Sequence, residues 1–199
     1  NPLLIEYGSG SSQKTRILLD HLPQMNTYVP VDISSEHLHK TAERLQKSYP
    51  GLSVTPVCAD YTSDFGLPWI NKEFTHKLAY FPGSTIGNFY PEEAITFLQN
   101  IAHLVGTGGG LLIGVDLQKD IGVLFRAYND SQGVTAAFNL NMLTHINREF
   151  GADFKEDMFI HEAFYNEVEG RIEMHLVSLV DQTVHISGRD IYFSENETI

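Results

Sequence analysis

Cysteine, positive charge and long apolar runs are all scarce in this sequence of 199 residues. The single cysteine, Cys58, cannot close an internal disulfide or build a thiolate metal cluster, so a reducing cytoplasm is the expected compartment. Thirteen lysines and arginines stand against 25 acidic residues, and the formal charge of −12 disfavours binding to nucleic acid or anionic membranes. No apolar run approaches the roughly 20 residues that a membrane-spanning helix needs. We therefore expect a soluble protein with neither a nucleic-acid nor a membrane partner.

The apolar content is nevertheless sufficient for a folded core. Hydrophobic residues make up 42% of the chain and charged residues 19%, which is typical of a globular domain. The length allows one full domain, or one domain with a small appendage. The histidines are scattered, and His161-Glu162 lacks a second histidine at metalloprotease spacing, so we expect no metal site.

Strand-like apolar runs alternate with helix-like segments through the first part of the chain. The apolar runs lie at residues 3–6, 28–32, 52–59, 77–81 and 110–116. Helical patterns separate them at residues 13–22, 35–49 and 91–104. Parallel strands covered by helices on both faces appear as continuous apolar runs. The sequence therefore predicts an α/β fold with a doubly wound, mostly parallel, Rossmann-like sheet.

The pattern changes after about Asp116. Residues 120–129 and 134–150 are helical in pattern. Two predicted hairpins follow, residues 159–166 with 171–179 and residues 183–186 with 190–193. We predict a Rossmann-like cofactor-binding domain over residues 1–118 and a smaller α+β substrate-binding subdomain over residues 119–199. We expect the second to be incomplete at its C-terminal end, and we treat the start at Asn1 in the same way.

A glycine-rich loop follows the first predicted strand and opens the first helix. It contains Gly8, Ser9 and Gly10, and the two glycines allow a sharp turn and a close backbone approach to a ligand. Ligands of open α/β sheets bind at the carboxyl ends of the strands, where this loop lies. A tight structural turn without a ligand is the alternative interpretation.

Acidic residues end the second and third predicted strands. Asp32 is placed to accept hydrogen bonds from both ribose hydroxyls of a nucleoside. Asp60 can bond an adenine amino group, and Tyr61 can stack on the base. Ordinary helix or turn capping is the alternative for each acid.

The spacing of the loop distinguishes between nucleoside cofactors. A dinucleotide fingerprint requires a third glycine five residues after the first, and this position is Gln13. A loop for an amino-acid tail, an acid for ribose and an acid for adenine favour S-adenosylmethionine, which carries no phosphate. An NAD-dependent oxidoreductase is the distant alternative.

Five stretches carry a specific resemblance: residues 8–16, 81–89, 127–130, 133–139 and 171–174. Together they resemble the histidine-specific Nα-methyltransferase family, and the resemblance covers nearly the whole chain. It implies an S-adenosylmethionine-dependent enzyme that trimethylates the α-amine of histidine in ergothioneine biosynthesis. Fungal members of the family methylate a prenylated tryptophan, so a tryptophan-derived substrate is one alternative. A truncated, non-catalytic nucleoside-binding module is another. We expect a monomer that acts on a small amino acid.

The resemblance also implies roles for particular residues. The cofactor-binding residues that it implies are Gly8, Lys14, Asp32, Asp60 and Tyr61, and we add Ser9 and Gly10 of the glycine loop as candidates. The candidate substrate-binding residues are Asn88 and Tyr128 for the amino-acid head and Met174 near the side-chain pocket. No catalytic base is identified, because Tyr128, a water molecule or a residue outside the chain could take the proton.

The residues themselves give mixed support to these roles. Lys14 lies in the first turn of a predicted helix, where a cation opposes the helix dipole, and this indicates a ligand carboxylate nearby. Asn88 follows the fourth predicted strand, and its amide can both donate and accept hydrogen bonds. The structural alternatives are an ordinary exposed lysine at Lys14, a turn asparagine at Asn88 and core side chains at Tyr128 and Met174.

Overall fold

A computed structural model of the chain describes residues 1–10 and 12–199, so Ser11 of the glycine loop lies outside the described residues. The chain divides into two compact units, Asn1–Asp116 and Leu117–Ile199. The helices within the described ranges fall short of the length and apolar character that a membrane crossing requires.

The first unit is built on a parallel sheet. Its strands are β1 (Pro2–Tyr7), β2 (Thr27–Asp32), β3 (Ser53–Val54), β4 (Val57–Cys58), β5 (His76–Phe81) and β6 (Gly110–Ile113). The strand order is β3-β2-β1-β5-β6, with β4 also paired to β2, and the pairings are parallel. The connections contain α1 (Gln13–His21), α2 (Ser35–Ser48), a 3₁₀ turn (Thr85–Asn88) and α3 (Pro91–Val105). The predicted α/β fold with a mostly parallel sheet is confirmed.

Helices cover both faces of this sheet. Successive side chains of β1 point to opposite sides, so each face has its own buried cluster. Leu3 and Ile5 belong to one buried cluster with Phe97 of α3. Leu4 belongs to a second buried cluster with Leu45 of α2. The strand order reverses between β1 and β5, so the loops after these two strands leave the sheet in different directions and open a crevice between them.

The third predicted strand differs from the structure. In place of one strand over residues 52–59, the chain forms β3 and β4, which pair with β2 separately. Pro56 lies between them and has no N–H group to donate to the neighbouring strand. The fifth predicted strand corresponds to β6, which ends at Ile113 and not at residue 116.

A buried carboxyl ties three elements of the first unit together. Glu6 of β1 is only 2% exposed, and its Oε2 accepts hydrogen bonds from the hydroxyls of Thr15 in α1 and Tyr28 in β2. Burial raises the pKa of Glu6 to about 7, although the two hydrogen bonds and the charge of Lys14 oppose the rise. Glu6 precedes the glycine loop and Thr15 follows it, so this cluster links the two ends of the loop.

The second unit combines helices with two hairpins. Its elements are α4 (Ile121–Tyr128), α5 (Val134–Phe150), a 3₁₀ turn (Glu156–Met158), β7 (Phe159–Asn166), β8 (Arg171–Ser178), β9 (Gln182–Ile186) and β10 (Arg189–Phe193). The strands pair antiparallel, β7 with β8 and β9 with β10. Leu143 of α5 is fully buried against Phe159, Leu176 and Phe193. The helices and hairpins match the α+β pattern of the prediction, whereas a substrate-binding role for this unit remains a prediction.

The buried carboxyl generates a prediction about pH. The pKa of Glu6 is about 7 in the folded protein and 4.5 ordinarily. Between these two pH values, the folded protein therefore holds more protons than the unfolded chain. The contribution of Glu6 to the free energy of unfolding is therefore lost as pH rises. The difference in free energy of unfolding between Glu6→Gln and the wild type should therefore shift by about 2 to 3 kcal/mol in favour of the variant from pH 5 to pH 8, as measured by urea denaturation.

Thr15→Val supplies the matched variant, since it removes one donor to the carboxylate and keeps the side-chain shape. Because the Thr15 hydrogen bond lowers the pKa of Glu6, its loss should raise that pKa further. The free energy of unfolding of Thr15→Val should therefore continue to depend on pH to higher values than that of the wild type. Parallel pH profiles for Glu6→Gln and the wild type would contradict the assignment of a buried, titrating carboxyl.

The core of the second unit generates another prediction. Leu143→Ala should lower the free energy of unfolding by about 2 to 5 kcal/mol, because it removes fully buried methyl groups and leaves a cavity. Met142→Ala on the same helix is the control, since Met142 is 42% exposed and should cost about 0.5 kcal/mol or less. Equal stabilities of the two variants in denaturant titrations would show that Leu143 is not in the core.

Candidate functional site

Two pairs of loops approach each other at the carboxyl edge of the first unit's sheet. Gly8 follows β1 with φ +72°, and a β-carbon there would lie 3.5 Å from Cε1 of Tyr61. Gly83 follows β5 with φ +89°, and Gly114 follows β6. A β-carbon on Gly114 would lie 3.0 Å from the backbone nitrogen of Gly83. Glycine therefore permits a close backbone approach between Gly114 and Gly83, and the positive φ values of Gly8 and Gly83 favour glycine at those two positions.

The glycine loop holds a buried polar atom without a partner. The amide of Gly8 donates to the carbonyl of Val31 at 2.9 Å, and the amide of Ser12 donates to the carbonyl of Ser9 at 2.9 Å. Ser9 is 5% exposed, and its Oγ has no hydrogen-bond partner among the described residues. Buried hydroxyls are normally hydrogen-bonded, so an unmatched one inside this loop fits a polar group of a ligand.

Asp32 connects the glycine loop to the next helix. Its Oδ2 accepts a hydrogen bond from the amide of Gly10 at 3.3 Å, and its Oδ1 accepts one from the amide of Ser34 at 3.0 Å. Gly10 is also contacted from α2, since Nε2 of His37 lies 3.1 Å from the carbonyl oxygen of Gly10. The local capping role considered for Asp32 is thus present. A carboxylate has about four lone-pair sites, so these two bonds leave acceptor capacity for a ligand.

Asp60 and Tyr61 lie beside this loop. Oδ1 of Asp60 accepts hydrogen bonds from the hydroxyl and the amide of Thr62, which lower the pKa of Asp60 and close a turn. Burial raises the pKa of Tyr61, and the charges of Asp32 and Asp60 add to the rise. The Tyr61 ring packs edge-on against Tyr7. The structure therefore brings Asp32, Asp60 and Tyr61 together around the glycine loop.

Lys14 supplies a positive charge at the point where the strand order reverses. Its side chain is exposed on α1, and a β-carbon on Gly83 would lie 3.3 Å from its Nζ. The ammonium group therefore lies beside the loop that follows β5. Asn88 ends the 3₁₀ turn of the same connection and is exposed, so both side chains are accessible at this edge.

An open cavity of about 430 Å³ adjoins the Asp60 turn. The residues that line it are Thr62, Phe89, Glu92, Glu93, Thr96 and Phe97. Its volume falls within the range of small-ligand pockets, and the two phenylalanines give it an apolar surface. Space for an aromatic ligand therefore exists next to Asp60 and Tyr61.

The two candidate substrate residues of the second unit lie in adjoining elements. Tyr128 is the half-buried last residue of α4. The side chain of Asn129 donates to the carbonyl of Ala163 at 2.8 Å and accepts from its amide at 3.2 Å. Ala163 is in turn the register partner of Met174, which is 38% exposed. The structure thus places Met174 opposite the strand residue that binds Asn129, the chain neighbour of Tyr128.

Some of the histidines contact main-chain carbonyls and others contact side chains. In the described part of the chain, no three histidine, cysteine or acidic side chains form a group able to hold a metal ion. His37 contacts the carbonyl of Gly10, and His161 contacts the carbonyl of Tyr128. The expectation that the protein needs no metal remains a prediction.

Sequence reasoning missed three residues that shape the site. Glu6 links β1 to α1 and β2 through hydrogen bonds, and an acid inside an apolar strand was the available signal. Gly83 lies beside Lys14, and its place after a strand next to a proline was the signal. Asn129 belongs to a stretch that carries the family resemblance, but its pairing with a strand could not be seen without the fold.

Two bacterial proteins and one fungal protein are similar to this sequence. The chain is 41% identical over 192 residues to a protein named histidine N-alpha-methyltransferase from Mycolicibacterium smegmatis, covering 94% of this chain and 59% of the relative. It is 42% identical, with the same coverage, to a protein of that name from Mycobacterium tuberculosis. It is 34% identical over 181 residues to ergothioneine biosynthesis protein 1 of Neurospora crassa, covering 85% of this chain and 20% of that protein. The chain therefore spans about three fifths of the length of the two bacterial relatives.

A family model agrees with these similarities. The model is described as histidine-specific methyltransferase, SAM-dependent, where SAM is S-adenosylmethionine, and it matches residues 1–199. This match favours the methyltransferase interpretation over the NAD-dependent alternative. The chain belongs to the family of SAM-dependent, histidine-specific methyltransferases.

Proposed function

We propose that this protein transfers methyl groups from S-adenosylmethionine to the α-amine of histidine. One observation carries the proposal beyond family membership. At the reversal of strand order, a glycine loop with an unmatched buried hydroxyl lies beside a lysine and an aspartate of opposite charge. These groups complement a ligand that has an amino-acid tail at one end and a ribose at the other.

The side chains of the first unit fit the parts of the cofactor. Lys14 would hold the carboxylate of the methionine tail, and Ser9 would bond a polar group of the same tail. Asp32 would accept hydrogen bonds from the ribose hydroxyls. Asp60 would bond the adenine amino group and Tyr61 would contact the base, next to the cavity described above. When bound, the cofactor supplies an electrophilic methyl group on a sulfonium sulfur.

The residues assigned to the substrate would bind and align it. Asn88 and Tyr128 would hold the carboxylate and amine of the amino acid, and Met174 would contact its side chain. Methyl transfer is an in-line displacement, so holding the amine in line with the methyl group is the main contribution of these residues. The amine must also lose a proton before attack, and no residue is assigned to this step.

The biological setting follows from the relatives. Similarity to a protein named ergothioneine biosynthesis protein 1 supports a role in that pathway. The expectations of a monomer and of a cytoplasmic location remain predictions.

The cofactor site is tested by Asp32→Ala. Loss of a charged hydrogen-bond acceptor should weaken binding of S-adenosylhomocysteine by about 10- to 100-fold in isothermal titration calorimetry. Glu43→Ala removes an exposed acid of α2 and should leave the affinity unchanged. Because Asp32 also bonds Gly10, the 2′-deoxy analogue of the ligand separates the two roles. The substitution should cost less affinity for that analogue than for the parent ligand, and an equal cost would argue against a ribose contact.

The substrate site is tested by Asn88→Ala and Tyr128→Phe. Each should weaken histidine binding about 5- to 10-fold at saturating S-adenosylhomocysteine, because each removes a polar contact to the amino-acid head. Affinity for S-adenosylhomocysteine itself should stay unchanged. Tyr192→Phe, on the exposed β10, is the matched control for the loss of a phenol hydroxyl. Unchanged histidine affinity in both variants would reject these residues as substrate contacts.

A further inference from the structure

The main chain of Tyr128 is held by an imidazole from the neighbouring strand. Nε2 of His161 in β7 lies 2.8 Å from the carbonyl oxygen of Tyr128 at the end of α4. A carbonyl oxygen can only accept a hydrogen bond, so the proton must be on Nε2. His161 therefore donates to the backbone of a residue that the proposed function assigns to substrate binding.

The other nitrogen of this ring is also specified. Asn139 of α5 is 8% exposed, and its Nδ2 donates to the carbonyl of His175 at 3.1 Å and to Nδ1 of His161 at 3.0 Å. With the amide turned around, Oδ1 would face the His175 carbonyl oxygen, and two acceptors would repel each other. The amide orientation is therefore fixed, and Nδ1 of His161 must be an unprotonated acceptor.

These bonds form a directed chain from the hairpin to the end of α4. The carbonyl of His175 orients Asn139, Asn139 selects the neutral Nε2–H form of His161, and His161 fixes the carbonyl of Tyr128. Asn129 binds the adjacent strand position at Ala163 through both of its amide atoms. The peptide unit that follows Tyr128 is thus held at the carbonyl on one side and through the next side chain on the other.

We propose that His161 is a positioning residue of the substrate site, which sets the placement of Tyr128 by donating from Nε2 to its carbonyl oxygen. The inference rests on the proposed function, because it takes Tyr128 as a contact of the amino-acid head. An imidazole meets the requirement because it accepts from Asn139 and donates to Tyr128 from opposite edges of a rigid ring. Misplacement of Tyr128 reduces substrate binding without a change in the cofactor site, which lies in the first unit.

Two substitutions at His161 test the proposal in the protein at its full natural length. His161→Phe keeps a planar ring and removes the donor, so histidine affinity at saturating S-adenosylhomocysteine should fall about tenfold. Affinity for S-adenosylhomocysteine should stay within about twofold of wild type. His161→Gln should recover most of the lost affinity, since its amide nitrogen reaches the position of the ring Nε2. Nitrogen-15 NMR of wild-type His161 should show a protonated Nε2 and an unprotonated Nδ1 at neutral pH.

Several outcomes would overturn the inference. His161→Phe could leave histidine affinity unchanged while Tyr128→Phe reduces it, or it could weaken cofactor and histidine binding equally. Gln could also fail to improve on Phe, or the NMR spectrum could show the proton on Nδ1. If His161→Phe does not fold, the Gln variant and the NMR spectrum decide the question. A wild-type protein that binds S-adenosylhomocysteine without binding histidine would reject the proposed substrate first, and the inference with it.

Discussion

The reversal of strand order between β1 and β5 is the constraint on which the first unit depends. It separates the loops that follow these strands and leaves room between them for a ligand. The same reversal brings α1, with Lys14, next to the loop at Gly83. Glu6 joins β1, α1 and β2 through two hydrogen bonds, so the start and the end of the glycine loop are anchored to one buried carboxyl.

Polar groups in both units are used twice. Asp32 stabilises the loop through Gly10 and opens α2 through Ser34, and the proposal gives it the ribose as well. In the second unit, Asn129 follows the last residue of α4, and its side chain also hydrogen-bonds to both the amide and the carbonyl of Ala163. A residue with two roles explains why local capping and ligand binding were hard to separate from the sequence: the pattern of an acid after a strand is the same in both cases.

Prediction from sequence succeeded where periodicity dominates. The apolar run of β1 and the long pattern of α5 gave elements close to those observed, because burial of one face fixes the spacing of apolar residues. The predicted strand over residues 52–59 is divided into β3 and β4 around Pro56. The sequence could not show this, because the effect of Pro56 depends on where its missing N–H group lies in the sheet. The contacts of His161 and Asn139 were beyond sequence reasoning, since they join residues far apart in the chain through side-chain orientation alone.

The most direct measurement of the proposed chemistry is a competition among acceptors. The protein at its full natural length would be incubated with S-adenosylmethionine that carries a deuterated methyl group and an equimolar mixture of the standard amino acids. Mass spectrometry of the products should find successive labelled methyl groups on the α-nitrogen of histidine. Label on tryptophan or another amino acid, or no label from protein that binds S-adenosylhomocysteine, would contradict the account.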